Sequence, residues 1–270
     1  MHTDKTAGGA ADKTAGAVAD KTVGGVSARS VDDAVGNAVD AAEQAGGRLR
    51  NKSADSSAAG AMGVPSGVKV TGVPTAAEAR LILAEAERLN PGPWVQHSIV
   101  TAEAARNIAC HHRELDPETA YVFGCLHDIG RRTGVSHLRH TIDGYKFMNK
   151  RGYEGCARIC LTHSFPLPDL ESYSGNKDCT ADELTFLRAY VGRIHYTLYD
   201  ELIQLCDSLV TPQGFCLLEK RMVDVALRYG VNELTVPKWQ AVFALKQKFE
   251  DSLGCSVYEL LPGIAETTFR

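Results

Sequence analysis

Apolar and polar residues divide the chain into two unlike parts. Residues 1–72 contain no Phe, Trp, Tyr or Ile, and Leu49 is the only leucine among them. A segment of this composition cannot bury enough apolar surface to offset the entropy that ordering would cost. We therefore predict a disordered, low-complexity, Ala/Gly-rich tail over residues 1–72. One folded domain is expected over residues 73–270, which hold every Phe, Trp and Tyr and all eight cysteines.

The second part of the chain has the spacing of amphipathic helices. Its apolar residues recur at three- and four-residue steps, and no segment alternates apolar and polar residues as a strand does. Thr75 can cap a first helix that ends near Leu89, and Asp116-Pro117-Glu118 has the residues of a helix start. The other predicted helices cover residues 94–112, 137–150, 153–163, 181–210 (one long helix or a kinked pair), 215–229 and 237–253. The predicted fold class is therefore all-α, a helical bundle.

One predicted loop is long. Residues 164–180 contain two prolines, a glycine, an asparagine and several Asp and Ser residues. Long loops in compact domains often close over a substrate, so we expect this segment to form part of any site.

Charge and composition exclude several classes of partner. The net charge is −4 and the pI is about 6.1, which gives no support for a nucleic-acid partner or an anionic membrane surface. No apolar run reaches the roughly 18 residues of a membrane span. The eight cysteines include no CxxC pair, so we expect free, mostly buried thiols in a cytoplasmic protein. The sequence leaves the oligomeric state open.

Candidate chemistry begins with His127 and Asp128, which follow an apolar helix and precede Gly130. An imidazole and a carboxylate presented together can bind a divalent metal. Further His and Asp residues stand in other predicted helices, and they complete a candidate ligand set of six: His97, His127, Asp128, His140, His163 and Asp207. Four imidazoles and two carboxylates suit Fe or Mn first, and Zn second, rather than Ca or Mg.

The six residues can be divided between two ions that share Asp128. His97, His127 and Asp207 would complete one site, and His140 and His163 the other. Two metals about 3.5–4 Å apart lower the pKa of a bridging water and suit the cleavage of phosphate esters. Each residue also has an ordinary interpretation on its own, as a core or surface histidine, a histidine at a helix end, or an Asp at the end of its helix.

Residues near the ligand set have predicted roles as well. Arg131 is our first candidate for a substrate contact and, with Asp128, for a catalytic role, since a guanidinium binds phosphate in a bidentate manner. Asp143, three residues after His140, is a candidate acceptor for that imidazole, although an exposed Asp is the commoner outcome. The pair His111-His112 is interpreted as a surface feature.

These motifs resemble the HD-domain metallohydrolase superfamily. The resemblance covers residues 94–211 and rests on five segments: His97-Ser98, Leu126-His127-Asp128-Ile129-Gly130-Arg131, Arg139-His140, Cys160-Leu161-Thr162-His163 and Leu205-Cys206-Asp207. It implies an all-α HD-type bundle and metal-dependent hydrolysis of a small phosphate ester, with a nucleotide as one candidate. It also implies that the six His and Asp residues are the metal ligands. The Gly-Tyr-Pro motif of the cyclic-di-GMP subclass is absent.

Two other functions stay open at this point. Some members of the superfamily have a similar set of four His and two Asp, yet use a mixed-valence di-iron pair to activate O₂. A third possibility is a non-catalytic module that binds a nucleotide or a partner, and the repeated Asp-Lys-Thr of the tail is its only support.

Overall fold

The computed structural model describes residues 72–269, and within them the fold is a helical bundle, which confirms the predicted all-α class. Its helices are α1 (Ala76–Leu89), α2 (Pro93–Ala109), α3 (Pro117–Leu126), α4 (Arg139–Lys150), α5 (Glu154–Thr162), α6 (Ala181–Arg193), α7 (Leu198–Ser208), α8 (Leu218–Tyr229), α9 (Thr235–Leu253) and α10 (Ile264–Thr268). Short 3-10 segments lie at Ile129–Thr133, Leu170–Ser172 and Val257–Leu260. The predicted disordered tail lies outside the described residues, except for Gly72.

Two predicted helix starts are present, with the hydrogen bonds that their residue types allow. The Thr75 hydroxyl accepts from the backbone N–H of Glu78, and the Glu78 carboxylate accepts from the backbone N–H of Thr75. Asp116 accepts from the N–H of Thr119 at the start of α3. Each contact satisfies an N–H that the helix itself leaves without a partner.

The segment predicted as one long helix or a kinked pair forms two separate helices. α6 ends where Ile194 turns to extended backbone, with φ −71° and ψ 138°. α7 begins with a capping box between Thr197 and Asp200. A two-residue antiparallel hairpin, Val210–Thr211 with Gly214–Phe215, follows α7. Strands of two residues are too short to show alternation, and the sequence analysis did not predict them.

The segment 164–180 forms the predicted loop, and it is packed firmly against the rest of the bundle. Phe165 and Leu170 are buried in a cluster with Leu138 of the α4 start and Leu187 of α6. The Asp178 carboxylate accepts from the backbone N–H groups of His137 and Arg139 at the start of α4. The loop is therefore part of the folded wall beside α4.

A buried ion pair joins α5 to α7. Arg158 Nε donates to Asp200 Oδ2 at 2.9 Å, and the Thr162 hydroxyl donates to Asp200 Oδ1 at 2.7 Å. Both charged side chains are buried. Because α5 leads into His163 and α7 carries Asp207, this pair fixes the relative position of two candidate ligands.

One histidine prediction was wrong. His111 is exposed, but His112 is buried against the ring of Phe249 at a centroid distance of 5.9 Å. Its Nδ1 accepts from the N–H of Glu114, and burial lowers its pKa. His112 belongs to the core because α9, which carries Phe249, covers the end of α2.

The cysteines agree with their prediction, since all eight are free thiols and five of them are buried. Within residues 72–269, no helix combines the length and the apolar character needed to cross a membrane.

Candidate metal centre

The six candidate ligands come together at one end of the bundle, where five helix termini meet. Each lies at or near a terminus: His97 early in α2, His127 and Asp128 directly after α3, His140 early in α4, His163 directly after α5, and Asp207 at the end of α7. They form two buried groups. The first group contains His97, His127 and Asp128, with Asp207 beside it, and the second contains Asp128, His140 and His163.

Three imidazoles are fixed because their Nδ1 atoms contact backbone carbonyl oxygens a turn earlier in the chain. The contacts join His127 to Gly124 at 2.7 Å, His163 to Ile159 at 3.1 Å, and His140 to His137. Because a carbonyl only accepts, each Nδ1 carries the proton and each Nε2 presents a lone pair. This is the arrangement of a metal-binding histidine.

The lone pairs of the second group face one another. Nε2 of His140 and Nε2 of His163 are 3.2 Å apart, and Asp128 Oδ1 lies 3.1 Å from the first and 3.6 Å from the second. Among the described residues, this buried carboxylate oxygen has no hydrogen-bond partner. Two lone pairs and a carboxylate oxygen directed at one point repel each other, so the donor set fits a cation.

The first group is arranged around the other oxygen of the same carboxylate. Asp128 Oδ2 lies 3.8 Å from His127 Nε2, and Asp207 Oδ1 lies 3.9 Å from that nitrogen and 2.7 Å from His97 Nε2. Within residues 72–269, the buried Nε2 of His127 has no hydrogen-bond partner. Asp128 thus stands between the two groups, with one oxygen toward each.

Two imidazoles of the site favour the neutral form, and its shared carboxylate favours the ionised form. Burial lowers the pKa of His127 to about 4, against the opposing effect of Asp128. Burial also lowers the pKa of His140, and Arg131 adds to this effect. Burial opposes ionisation of Asp128, but the neighbouring guanidinium of Arg131 holds the pKa of that carboxyl well below its usual range. At neutral pH these groups therefore have the protonation states that metal binding requires.

Arg131 lies against Asp128. Its Nε donates to Asp128 Oδ2 at 2.7 Å, and its Nη1 donates to the Ser136 carbonyl at 2.9 Å. Among the described residues, Nη2 has no hydrogen-bond partner, and the side chain lines the cavity over the site. The guanidinium therefore orients the shared carboxylate, while its predicted contact with substrate stays a prediction.

Asp143 does not contact His140. Its carboxylate lies 3.2 Å from the Thr133 hydroxyl and 3.4 Å from Arg139 Nε. The His137 carbonyl takes the position beside His140 Nδ1 that Asp143 was a candidate to fill.

Gly130 allows the segment after Asp128 to lie against α4. A Cβ at Gly130 would meet the His140 carbonyl oxygen at 1.9 Å and the Gly144 nitrogen at 2.5 Å. Both atoms belong to the backbone, so the clash cannot be relieved by a side-chain rotation. The residue after Ile129 must therefore be a glycine for Asp128 and His140 to approach each other.

Replacing Gly130 with alanine is expected to destabilise the fold by about 1–3 kcal/mol, because the added methyl pushes α4 away. Metal retention should fall as well, since His140 moves with α4. Urea unfolding and metal analysis of the purified variant measure both effects. Gly192→Ala is the control, because nothing lies within 4 Å of a Cβ at that position. Equal stability of the two variants would contradict the packing argument.

A cavity of about 890 Å³ opens over the two groups. It is lined by five of the six candidate ligands, and His127 lies behind them. Other walls come from the segment 164–180, including Tyr173, and from α8 and α9. These two helices add cationic and aromatic side chains: Lys220, Arg221, Arg228, Tyr229, Lys238 and Trp239. These residues form no motif and were not among the predicted site residues, and the adjacent Lys220-Arg221 pair is their only signal in the sequence.

The comparisons with known proteins agree with this geometry. The family model of the HD domain matches residues 94–211, which include all six candidate ligands. No curated protein and no solved structure matches the chain. The family match identifies an HD domain. The helical architecture and the clustered His and Asp residues are consistent with that domain. The chain carries an HD domain over residues 94–211, and most members of the HD-domain family are metal-dependent hydrolases.

Proposed function

We propose that this protein hydrolyses a small phosphate ester in a metal-dependent reaction. The observation that carries the proposal is the pair of buried donor groups sharing Asp128 at the floor of a cavity with cationic walls. A cavity of about 890 Å³ is within the usual size for a small-molecule site. The domain that contains this site extends, in our proposal, over residues 73–270.

The six His and Asp residues would hold two divalent transition-metal ions, with Fe or Mn preferred and Zn as the alternative. His97, His127 and Asp207 would bind one ion, His140 and His163 the other, and Asp128 both. Such ions lower the pKa of water and polarise phosphoryl oxygens. Arg131 holds the Asp128 carboxylate through Nε, and its guanidinium, which lines the cavity, would donate from Nη2 to a substrate oxygen.

Hydrolysis is tested by phosphate release from a panel of phosphomonoesters and phosphodiesters. Protein stripped with a chelator is compared with protein reloaded with Fe, Mn or Zn. We expect phosphate release only after reloading. Failure of every reloaded form to release phosphate would contradict the proposal, and O₂ consumption with a substrate from the same panel would favour the oxygenase alternative.

The two-ion arrangement predicts a specific pattern of metal content. Plasma mass spectrometry should find about two ions per chain in the natural protein and about one in each of His97→Ala and His140→Ala, since each variant damages one donor group. His111→Ala is the control, because His111 is exposed and binds only the Asn107 carbonyl. One ion in the natural protein, lost in His97→Ala and kept in His140→Ala, would reduce the site to a mononuclear one.

A further inference from the structure

The cavity has a second charged wall that lies outside residues 94–211. It is formed by four cationic side chains, which we call the basic wall: Lys220, Arg221 and Arg228 of α8, and Lys238 of α9. The one carboxylate among the cavity-lining residues of α8 and α9 is Asp224. The wall therefore has a clear excess of positive charge at neutral pH.

The pairing within the basic wall leaves this excess uncompensated. Asp224 Oδ2 lies 3.2 Å from Arg221 Nη1 and 2.6 Å from Arg228 Nη2, so two guanidinium groups share one carboxylate. Lys220 Nζ donates to the backbone carbonyls of Thr267 and Thr268 at 2.8 and 2.9 Å. Carbonyl groups satisfy an ammonium donor without neutralising its charge.

Lys238 is the wall residue with the weakest partner. Its Nζ lies 3.3 Å from the Ser172 carbonyl oxygen, which is at the long end of hydrogen-bond distances. Burial lowers its pKa to about 8, so the ammonium is still the main form at pH 7. An anion that enters the cavity would further stabilise an ammonium held in this partly buried position.

The basic wall is close to the metal centre but separate from it. Arg221 contributes to the low pKa of Asp207, and Asp207 acts on Lys238 in turn, so the two parts share one space. Yet within residues 72–269 none of the four cations forms an ion pair with Asp128 or Asp207. The wall therefore forms no ion pair with these two carboxylates, and its side chains line the cavity.

We propose that the basic wall binds a second anionic group of the substrate, at the opposite end of the molecule from the phosphate that lies at the metal centre. The substrate class is then a small phosphate ester with a second phosphate or a carboxylate at its far end. This proposal rests on the proposed function for the identity of the first phosphate. It assigns substrate selection to α8 and α9, which the HD match does not include.

Non-hydrolysable probes test the proposal without turnover. Titration calorimetry at pH 7 on metal-loaded protein would compare propylphosphonate, propylene bisphosphonate and phosphonobutyrate. These share a three-carbon chain and differ only in the group at its far end, which is a hydrogen, a phosphonate or a carboxylate. A series of bisphosphonates with spacers of two to six carbons then shows which spacer length matches the distance between the metal centre and the basic wall. The bisphosphonate of best length should bind at least about tenfold more tightly than its monophosphonate, since one charge-assisted contact contributes this much. The relative affinity of phosphonobutyrate shows whether the second group is a phosphate or a carboxylate.

Lys238→Met and Arg228→Gln are the test variants, and both should lose most of this preference while keeping the affinity for propylphosphonate. Lys248→Met is the matched control, because Lys248 is on the same helix but pairs with Glu201 outside the cavity. Melting curves and metal content confirm that each variant is folded and loaded.

Two results would overturn the proposal. One is equal affinity for the mono- and bisphosphonates at every spacer length. The other is an equal loss of affinity for both probe types in the variants, which would mean that the wall binds the same phosphate as the metal centre. Neither result depends on phosphate release, so failure of hydrolysis and failure of this inference are separate outcomes.

Discussion

Asp128→Ala is expected to abolish metal binding and to lower phosphate release by about a thousandfold or more. Asp128 is the one residue that faces both donor groups, with Oδ2 toward the first and Oδ1 toward the second. Its removal also leaves the imidazoles of both groups without the carboxylate that they share. A metal centre stabilises a phosphoryl transition state by several kcal/mol, and about 1.4 kcal/mol corresponds to a factor of ten in rate.

Plasma mass spectrometry and phosphate-release assays on the same preparation measure the two effects of Asp128→Ala. Asp143→Ala is the matched control, since Asp143 lies near the site but contacts Thr133 and Arg139 rather than a candidate ligand. Retained activity in Asp128→Ala would refute the metal-dependent mechanism. Loss of metal in the control to the same extent would show that the region responds to any removal of charge.

Asp200→Ala is expected to destabilise the fold by about 3–5 kcal/mol, because it removes one partner of a buried ion pair. Arg158 would keep its charge in the interior, and the Thr162 hydroxyl would lose its acceptor. The capping box that starts α7 would be lost as well. Since this contact joins the helices that present His163 and Asp207, the variant should also retain less metal.

Urea unfolding of protein stripped of metal by a chelator gives the free energy of unfolding without a contribution from bound metal. Glu201→Ala is the neighbouring control, because Glu201 pairs with the half-exposed Lys248 and such surface pairs contribute only about 0–1 kcal/mol. If the free energies of unfolding of Asp200→Ala and Glu201→Ala differed by less than about 1 kcal/mol, the buried pair would contribute little to the stability of the fold.

Local signals in the sequence were enough to predict most helices and the candidate ligand set. The caps at Thr75 and Asp116 depend on residues three positions away, so one sequence contains all the information they require. The HD motifs are local signals as well, because each marks a helix terminus that carries a candidate ligand. The convergence of these helix termini depends on tertiary structure. The resemblance implied it, and the structure shows it.

Other features depend on packing that no local pattern encodes. The apolar stripe through residues 181–210 continues past Ile194, so it concealed the break that the Thr197–Asp200 box creates. His112 is buried only because Phe249, far away in sequence, covers it. The contact of Arg131 with Asp128 requires the 3-10 turn Ile129–Thr133, which no predicted element covers.

His97 and Asp207 touch although 110 residues of chain separate them. Closing so long a loop has an entropic cost that only a largely packed bundle offsets. During synthesis, the segments through α4 can provide both oxygens of Asp128 and the first imidazoles, but the last ligand arrives only after α7 has formed. The complete cluster of candidate ligands is therefore a late product of folding rather than its nucleus, and in the proposed function an ion would meet all six residues only in an assembled domain.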